Sequence, residues 1–205
     1  RASTMPKRTD IKKVLVIGGD KMSTIIDPMD RATCILFGDG AAAVLVEPSR
    51  NGFGIEHSYL RCDGTGREYL RIDVGGSINP PTAENTAFGG QYVHQDGRAV
   101  YRYAVTNMCE ASQNVLNACG LDASQIDYLL PHQANLRIIE SVTEHLGLPK
   151  EKVLVNIERY GNTTDGTLPL LLWDFEKTLK KGDKLLLTTF GGGFTWGSMY
   201  LTWDY

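Results

Sequence analysis

The chain has no apolar run approaching 18 residues, so its sequence predicts no membrane-spanning helix. It also lacks an excess of charge of either sign: 21 Lys and Arg stand against 24 Asp and Glu, a formal net charge of -3. That balance gives no reason to expect nucleic acid or an anionic membrane as a partner. The first residues, Arg1-Ala2-Ser3-Thr4-Met5-Pro6-Lys7-Arg8, have no apolar core of the kind a secretory signal needs, and 1–11 read as a ragged start or tag. Cysteine is sparse. Cys34, Cys62, Cys109 and Cys119 make no CxxC pair and have no histidine cluster nearby. Reduced thiols, a cytoplasmic location and no metal site are expected. Neither glycine run has the GxxxxGK[ST] pattern, and no GxGxxG follows the first strand, which argues against a nucleotide-binding domain.

What remains is ordinary globular material, 42% hydrophobic and 22% charged, enough for a sizeable core in one large domain or one and a half small ones. Lys12 to Gly19 is a short apolar run ended by glycines, the pattern of a strand buried on both faces. Ile35-Leu36-Phe37, Gly38-Asp39-Gly40 and Ala41 to Glu47 read as a hairpin. Asn51 to about Gln95 is rich in Gly, Pro, Asn and Thr and predicts irregular connection with one or two strands.

From Gly97 the pattern becomes regular. Val100, Ala104, Met108, Ala111, Val115 and Ala118 recur at helical spacing up to Gly120. Ile126 to Leu130 and Val153 to Val155 predict strands. Leu136 to Leu146 predicts a helix stopped by Gly147, and Leu168 to Leu179 another, with Asp165 as its cap. Alternation of this kind predicts an α/β layered domain.

Near its C-terminus the chain carries Phe190-Gly191-Gly192-Gly193-Phe194-Thr195-Trp196-Gly197-Ser198, whose glycines lie between two strand-like runs. Glycine forfeits packing and costs backbone entropy. Three in a row suit either a close approach of bare backbone to a phosphate or oxyanion, or simply a hairpin turn. Pro131-His132-Gln133-Ala134-Asn135 lies between a strand and a helix, and Gly161-Asn162-Thr163 holds the same kind of position one unit later. Ligands in α/β sheets gather beyond the carboxyl ends of strands. An imidazole N–H, a carboxamide N–H and backbone amides gathered there suit chemistry through an enolate. Singly, each has a plainer reading: a structural histidine, and an asparagine that forms a turn.

Asp27-Pro28-Met29-Asp30-Arg31, Phe37-Gly38-Asp39-Gly40-Ala41, Pro131 to Arg137, Gly161-Asn162-Thr163 and Phe190 to Ser198 together resemble the C-terminal two-thirds of the β-ketoacyl-acyl-carrier-protein synthase III family, condensing enzymes of the thiolase superfamily. The resemblance implies a thiolase-like αβαβα layered sandwich of two similar halves, with 12–95 the remainder of the first and 96–205 the complete second. It implies decarboxylative condensation of an acyl-coenzyme A primer, expected to be acetyl, with malonyl-acyl-carrier protein in initiating fatty-acid synthesis. His132 and Asn162 match the family's decarboxylation pair, and Gly192 an oxyanion-hole amide. Arg31, Gly97, Tyr101, Ala134 and Asn135 fall where coenzyme A binds, Tyr101 standing where phenylalanine is common. Arg137 matches an arginine suited to docking the carrier protein. The implied full-length enzyme is a homodimer with no tightly bound cofactor.

One departure is large. The family's nucleophilic cysteine lies upstream of the segment resembling Lys12 to Gly19, and no cysteine here has its helix-start context. Cys34 is expected to be a small core residue. Alone, the chain is expected to be inactive. The alternatives are a non-catalytic fragment that binds coenzyme A or carrier protein, and a related polyketide- or ketone-forming condensing enzyme.

Overall fold

Strand β1 (Val14–Asp20) pairs antiparallel with β2 (Gly40–Val46), in register from Val14–Val46 to Asp20–Gly40, in a computed structural model that describes residues 12–205. The reading of 1–11 as a start or tag lies outside those residues. β2 therefore pairs with β1 and not, as the sequence suggested, with Ile35 to Phe37. Phe37 instead makes a single parallel bridge to Asn162. β1 also departs from the expected double burial, for Leu15 is 59% and Ile17 70% exposed. Among the described residues β1 and β2 form a two-stranded ribbon.

The stretch from Asn51 to Gln95 holds more structure than its composition predicted. It contains β3 (Gly54–Cys62), β4 (Leu70–Ile72), a short helix α1 (Ala83–Thr86) and β5 (Val93–Gln95), with β4 and β5 paired. β3 belongs to the sheet of the second part, although it precedes residue 96, because it pairs antiparallel with β8 (Thr195–Thr202).

Helix α2 (Gly97–Cys119) starts where Asp96 accepts bonds from the N–H groups of Arg98 (3.0 Å) and Ala99 (2.9 Å). It ends at Gly120, whose φ of 63° is a left-handed cap that glycine takes without steric cost. β6 (Tyr128–Pro131), α3 (Leu136–His145), α4 (Ile157–Tyr160), α5 (Thr167–Phe175) and β7 (Lys184–Gly191) follow. Val153 to Val155 is not a full strand: Val153 makes one parallel bridge to Leu129. α5 is shorter than expected, and its last carbonyl, at Phe175, accepts from Thr178 and Leu179 in a closing turn.

The four-stranded sheet runs β3-β8-β7-β6, with β6 and β7 parallel and the other pairs antiparallel. The apolar runs of β6, at the edge, and of its neighbour β7 face both ways. Leu129 and Leu186 join the α2 core with Met108, Val115 and Phe194, whereas Leu130 and Leu185 join the opposite core with Leu171 and Leu179. Each such buried side chain contributes about 1.5–3 kcal/mol of transfer free energy. This double burial fixes β6 and β7 rigidly, and what leaves their carboxyl ends inherits that rigidity.

Candidate active site

β6 and β7 run in the same direction, so Pro131-His132 and Phe190-Gly191-Gly192 leave the sheet at one edge. The His132 amide donates to the Thr188 carbonyl (2.8 Å), which continues the β6–β7 ladder one residue past the strand. The side chain is buried, 8% exposed, and its Nδ1 has no partner. Burial pushes the imidazole pKa down from 6.5 to about 4, because a charged ring would lose its hydration. His132 is therefore neutral at pH 7 and carries one N–H donor.

Gln133 holds that histidine in place. Its Nε2 donates to Pro131 O (2.8 Å) and Leu154 O (3.3 Å), and its Oε1 accepts from the Asn156 amide (3.0 Å). Its own amide donates to Thr167 Oγ1 (2.9 Å), at the start of α5. That last bond ties the His132 segment to the segment carrying Asn162, which is separated from Thr167 only by a tight turn over Thr164–Gly166. Nothing in the sequence singled out Gln133, since a buried amide has no signature until its partners are known.

Asn162 is 9% exposed and held on both sides of its backbone. Its amide donates to Leu36 O (2.8 Å), and its carbonyl accepts from the Gly38 amide (2.9 Å). The side-chain oxygen accepts from the Thr164 amide (3.0 Å). With the oxygen so engaged, the end of the carboxamide left to meet a ligand is its NH2 donor. Gly38 permits this arrangement. A Cβ there would lie 2.0 Å from Tyr160 O. The expected Asp165 cap is absent: α5 has no side-chain cap, and the Asp165 amide instead donates to Asp20 Oδ2 (3.2 Å), because Thr164 and Asp165 belong to the tight turn before the helix.

The triglycine closes the β7–β8 hairpin. Gly192 is exposed at its tip, with its carbonyl accepting from Thr195 Oγ1 (3.0 Å). The turn is anchored by Phe194, which exchanges backbone bonds with Asp63 in both directions (2.6 and 2.8 Å). Its ring packs on Phe190 (4.8 Å between centroids) and Tyr103 (5.1 Å), over a Gly66 whose added Cβ would lie 2.1 Å from it. Gly66 and Asp63 sit in the stretch the sequence predicted as irregular, so this anchor was invisible there.

A second set of residues meets between α2 and α3. Tyr101 OH and Ser141 Oγ are 2.7 Å apart, and the Arg137 guanidinium lies 5.8 Å from the centroid of the Tyr101 ring. Gly97 is exposed one turn earlier on the same α2 face. Asn135 caps α3, its side-chain oxygen accepting from the Arg137 amide (2.9 Å), and Ala134 is half-buried beside it. Arg31 stands apart, exposed in the turn shaped by Asp30, whose carboxylate accepts from Ala32 N (2.9 Å) and Thr33 Oγ1 (2.7 Å).

No cysteine joins His132 and Asn162 among these contacts. Cys109 is buried inside α2, and burial raises its thiol pKa to about 11. Burial raises Cys119 as well, aided by Glu56. Cys62 is exposed at the end of β3. Cys34, expected in the core, is only half-buried in the turn before Phe37.

Residues 116–203 match the family model described as 3-oxoacyl-[acyl-carrier-protein (ACP)] synthase III C terminal, and residues 1–64 match that of 3-oxoacyl-[acyl-carrier-protein (ACP)] synthase III. The chain is 51% identical over 194 residues to β-ketoacyl-[acyl-carrier-protein] synthase III 1 of Bacteroides thetaiotaomicron, covering 95% of this chain and 58% of that protein. It is 50% identical over 194 residues to the synonymous protein of Phocaeicola vulgatus, with the same coverage. The crystal structure of 3-oxoacyl-[acyl-carrier-protein] synthase III from Aquifex aeolicus superposes with a TM-score of 0.84 at 39% identity, over 94% of this chain and 58% of that one. The chain thus spans a little under three-fifths of the length of these relatives. With this likeness in both sequence and thiolase-like fold, the chain belongs to the 3-oxoacyl-[acyl-carrier-protein] synthase III family.

Proposed function

We propose that the full-length protein carrying this chain is a condensing enzyme that initiates fatty-acid synthesis. It takes an acyl primer, expected to be acetyl, from coenzyme A and joins it to malonyl carried on acyl carrier protein. The reading assigns the nucleophilic thiolate to sequence outside this chain, since none of the four cysteines suits the role.

The carbon–carbon bond to the malonyl carboxylate breaks, carbon dioxide leaves, and the bonding electron pair moves into the thioester as an enolate. His132 and Asn162 each donate an N–H to the enolate oxygen. The enolate carbon then attacks the acyl-enzyme carbonyl, whose oxyanion accepts from the Gly192 amide, and the thiolate is expelled as the 3-ketoacyl product forms. Neutral donors are what this step needs, because they stabilise developing charge without surrendering a proton first.

The observation that carries the reading is the pair itself. One donor is an imidazole held neutral by burial, and the other is a carboxamide whose oxygen is already engaged. Arg31, Gly97, Tyr101, Ala134 and Asn135 would line the path of coenzyme A, and Arg137 would meet the acidic carrier protein. The full-length protein would act in the cytoplasm as a homodimer with no tightly bound cofactor. This chain alone, without its nucleophile, would bind thioester or carrier and turn nothing over.

The test is direct. Full-length protein given acetyl-coenzyme A and malonyl-carrier should release carbon dioxide in step with 3-ketoacyl-carrier formation. Failure to form a 3-ketoacyl product with acetyl or any longer primer contradicts the reading.

A further inference from the structure

Thr164 is the one non-glycine residue among those described with a positive φ, 49°. That conformation crowds a β-branched side chain and persists only where its surroundings enforce it. Two contacts enforce it here. The Thr164 hydroxyl donates a hydrogen bond to Asp20 Oδ2, and the next amide, of Asp165, donates to the same oxygen (3.2 Å). Asp20 ends β1, in the ribbon formed by the early part of the chain. The Thr164 amide, turned by this strained backbone, is the group that donates to Asn162 Oδ1 (3.0 Å).

The ribbon also grips the turn through bare backbone. A Cβ on Gly18 would lie 2.2 Å from Asp165 O, and one on Gly40 would lie 2.8 Å from Thr163 Cγ2. The turn that orients Asn162 is therefore seated on β1 and β2, and Asp20 supplies the charge-assisted bonds that hold it there.

We propose that Asp20 is a positioning residue for Asn162, acting through Thr164. This rests on the reading of Asn162 as an enolate-stabilising donor. With Asp20 in place, the Thr164 amide faces the carboxamide oxygen and the NH2 is aimed at substrate. Without it, Thr164 relaxes toward negative φ, the amide turns away, and the carboxamide is free to rotate.

The experiment uses full-length protein and compares malonyl-carrier decarboxylation with acyl transfer to the nucleophile. Asp20→Ala and Thr164→Val should each lower the decarboxylation kcat about ten- to a hundredfold, the range seen when a catalytic group is displaced by about 1 Å. KM for malonyl-carrier and the rate of acyl transfer should stay near wild type. Thr164→Ser keeps the hydroxyl and should retain activity. Asp20→Ala combined with Thr164→Gly should recover part of the loss, because glycine reaches a left-handed φ without steric cost. Full decarboxylation in Asp20→Ala overturns the proposal, as does an equal loss in both half-reactions. Should Asp20→Ala not fold, Thr164→Val against Thr164→Ser decides the matter in the same terms. Undiminished decarboxylation in Asn162→Ala would instead refute the role of Asn162, whatever the Asp20 variants do.

Discussion

Acidification should weaken this protein through His132. Burial moves the ring from 6.5 to about 4. Its folded-state pKa is depressed, so as pH falls the unfolded chain takes up a proton before the folded one does. Stability fully present above pH 6.5 is therefore lost progressively as pH falls toward 4. Each tenfold difference in proton affinity corresponds to about 1.4 kcal/mol. The whole window is thus worth about 3 kcal/mol, and the step from about pH 7 to about pH 4.5 about 2 kcal/mol. For a chain of this length that corresponds to a fall in Tm of about 4–8 °C. Other groups titrate as well, so the quantity to measure is a difference. Urea unfolding of wild type and His132→Gln, followed by circular dichroism at several pH values, gives two stability curves. Their separation should change by about 2 kcal/mol between about pH 7 and pH 4.5, with wild type losing the more. A separation that stays constant across the window, or an imidazole resonance that titrates near 6.5, would refute the claim that the ring is buried and neutral.

Three further outcomes follow from local geometry. Gly66→Ala would drive a methyl into the Phe194 ring, so it should cost about 1–3 kcal/mol of stability and loosen the triglycine turn, seen as faster amide exchange at Gly191 to Gly193. Gln133→Leu leaves the Pro131 and Leu154 carbonyls and the Asn156 amide without their side-chain partner. It should lower stability by about 3 kcal/mol or more in denaturant titration, and decarboxylation with it. Cys109 should resist a thiol reagent in native protein at about pH 8 and react only on unfolding, while Cys62 reacts at once.

The sequence made some of this legible and hid the rest for identifiable reasons. The β7–β8 hairpin, α2 with its glycine stop, and α3 all come from local periodicity and local punctuation, which a single stretch of chain carries in itself. The pairing of β2 with β1 does not. Gly38-Asp39-Gly40 has the composition of a hairpin turn, yet Phe37 is drawn to Asn162, far along the chain. β3 was not placed among the one or two strands expected of that stretch because Glu56, His57 and Arg61 break any apolar run, and its partner β8 lies at the other end of the sequence. The same holds at the site. His132, Asn162 and the triglycine could be picked out by residue type and position. The groups that hold them, Gln133, Asp20 and Phe194, act through contacts that only folding creates. Asp165 was assigned the cap that its neighbourhood invited, while the acid that engages this turn, Asp20, lies 145 residues earlier.

The account depends most on two neutral donors meeting at one thioester oxygen. Release of labelled carbon dioxide from malonyl-carrier, measured in full-length protein with no primer present, isolates that step. His132→Ala and Asn162→Ala should each slow it by about a hundredfold or more while leaving acyl transfer to the nucleophile intact. Carbon dioxide released at the wild-type rate by either variant would contradict the account.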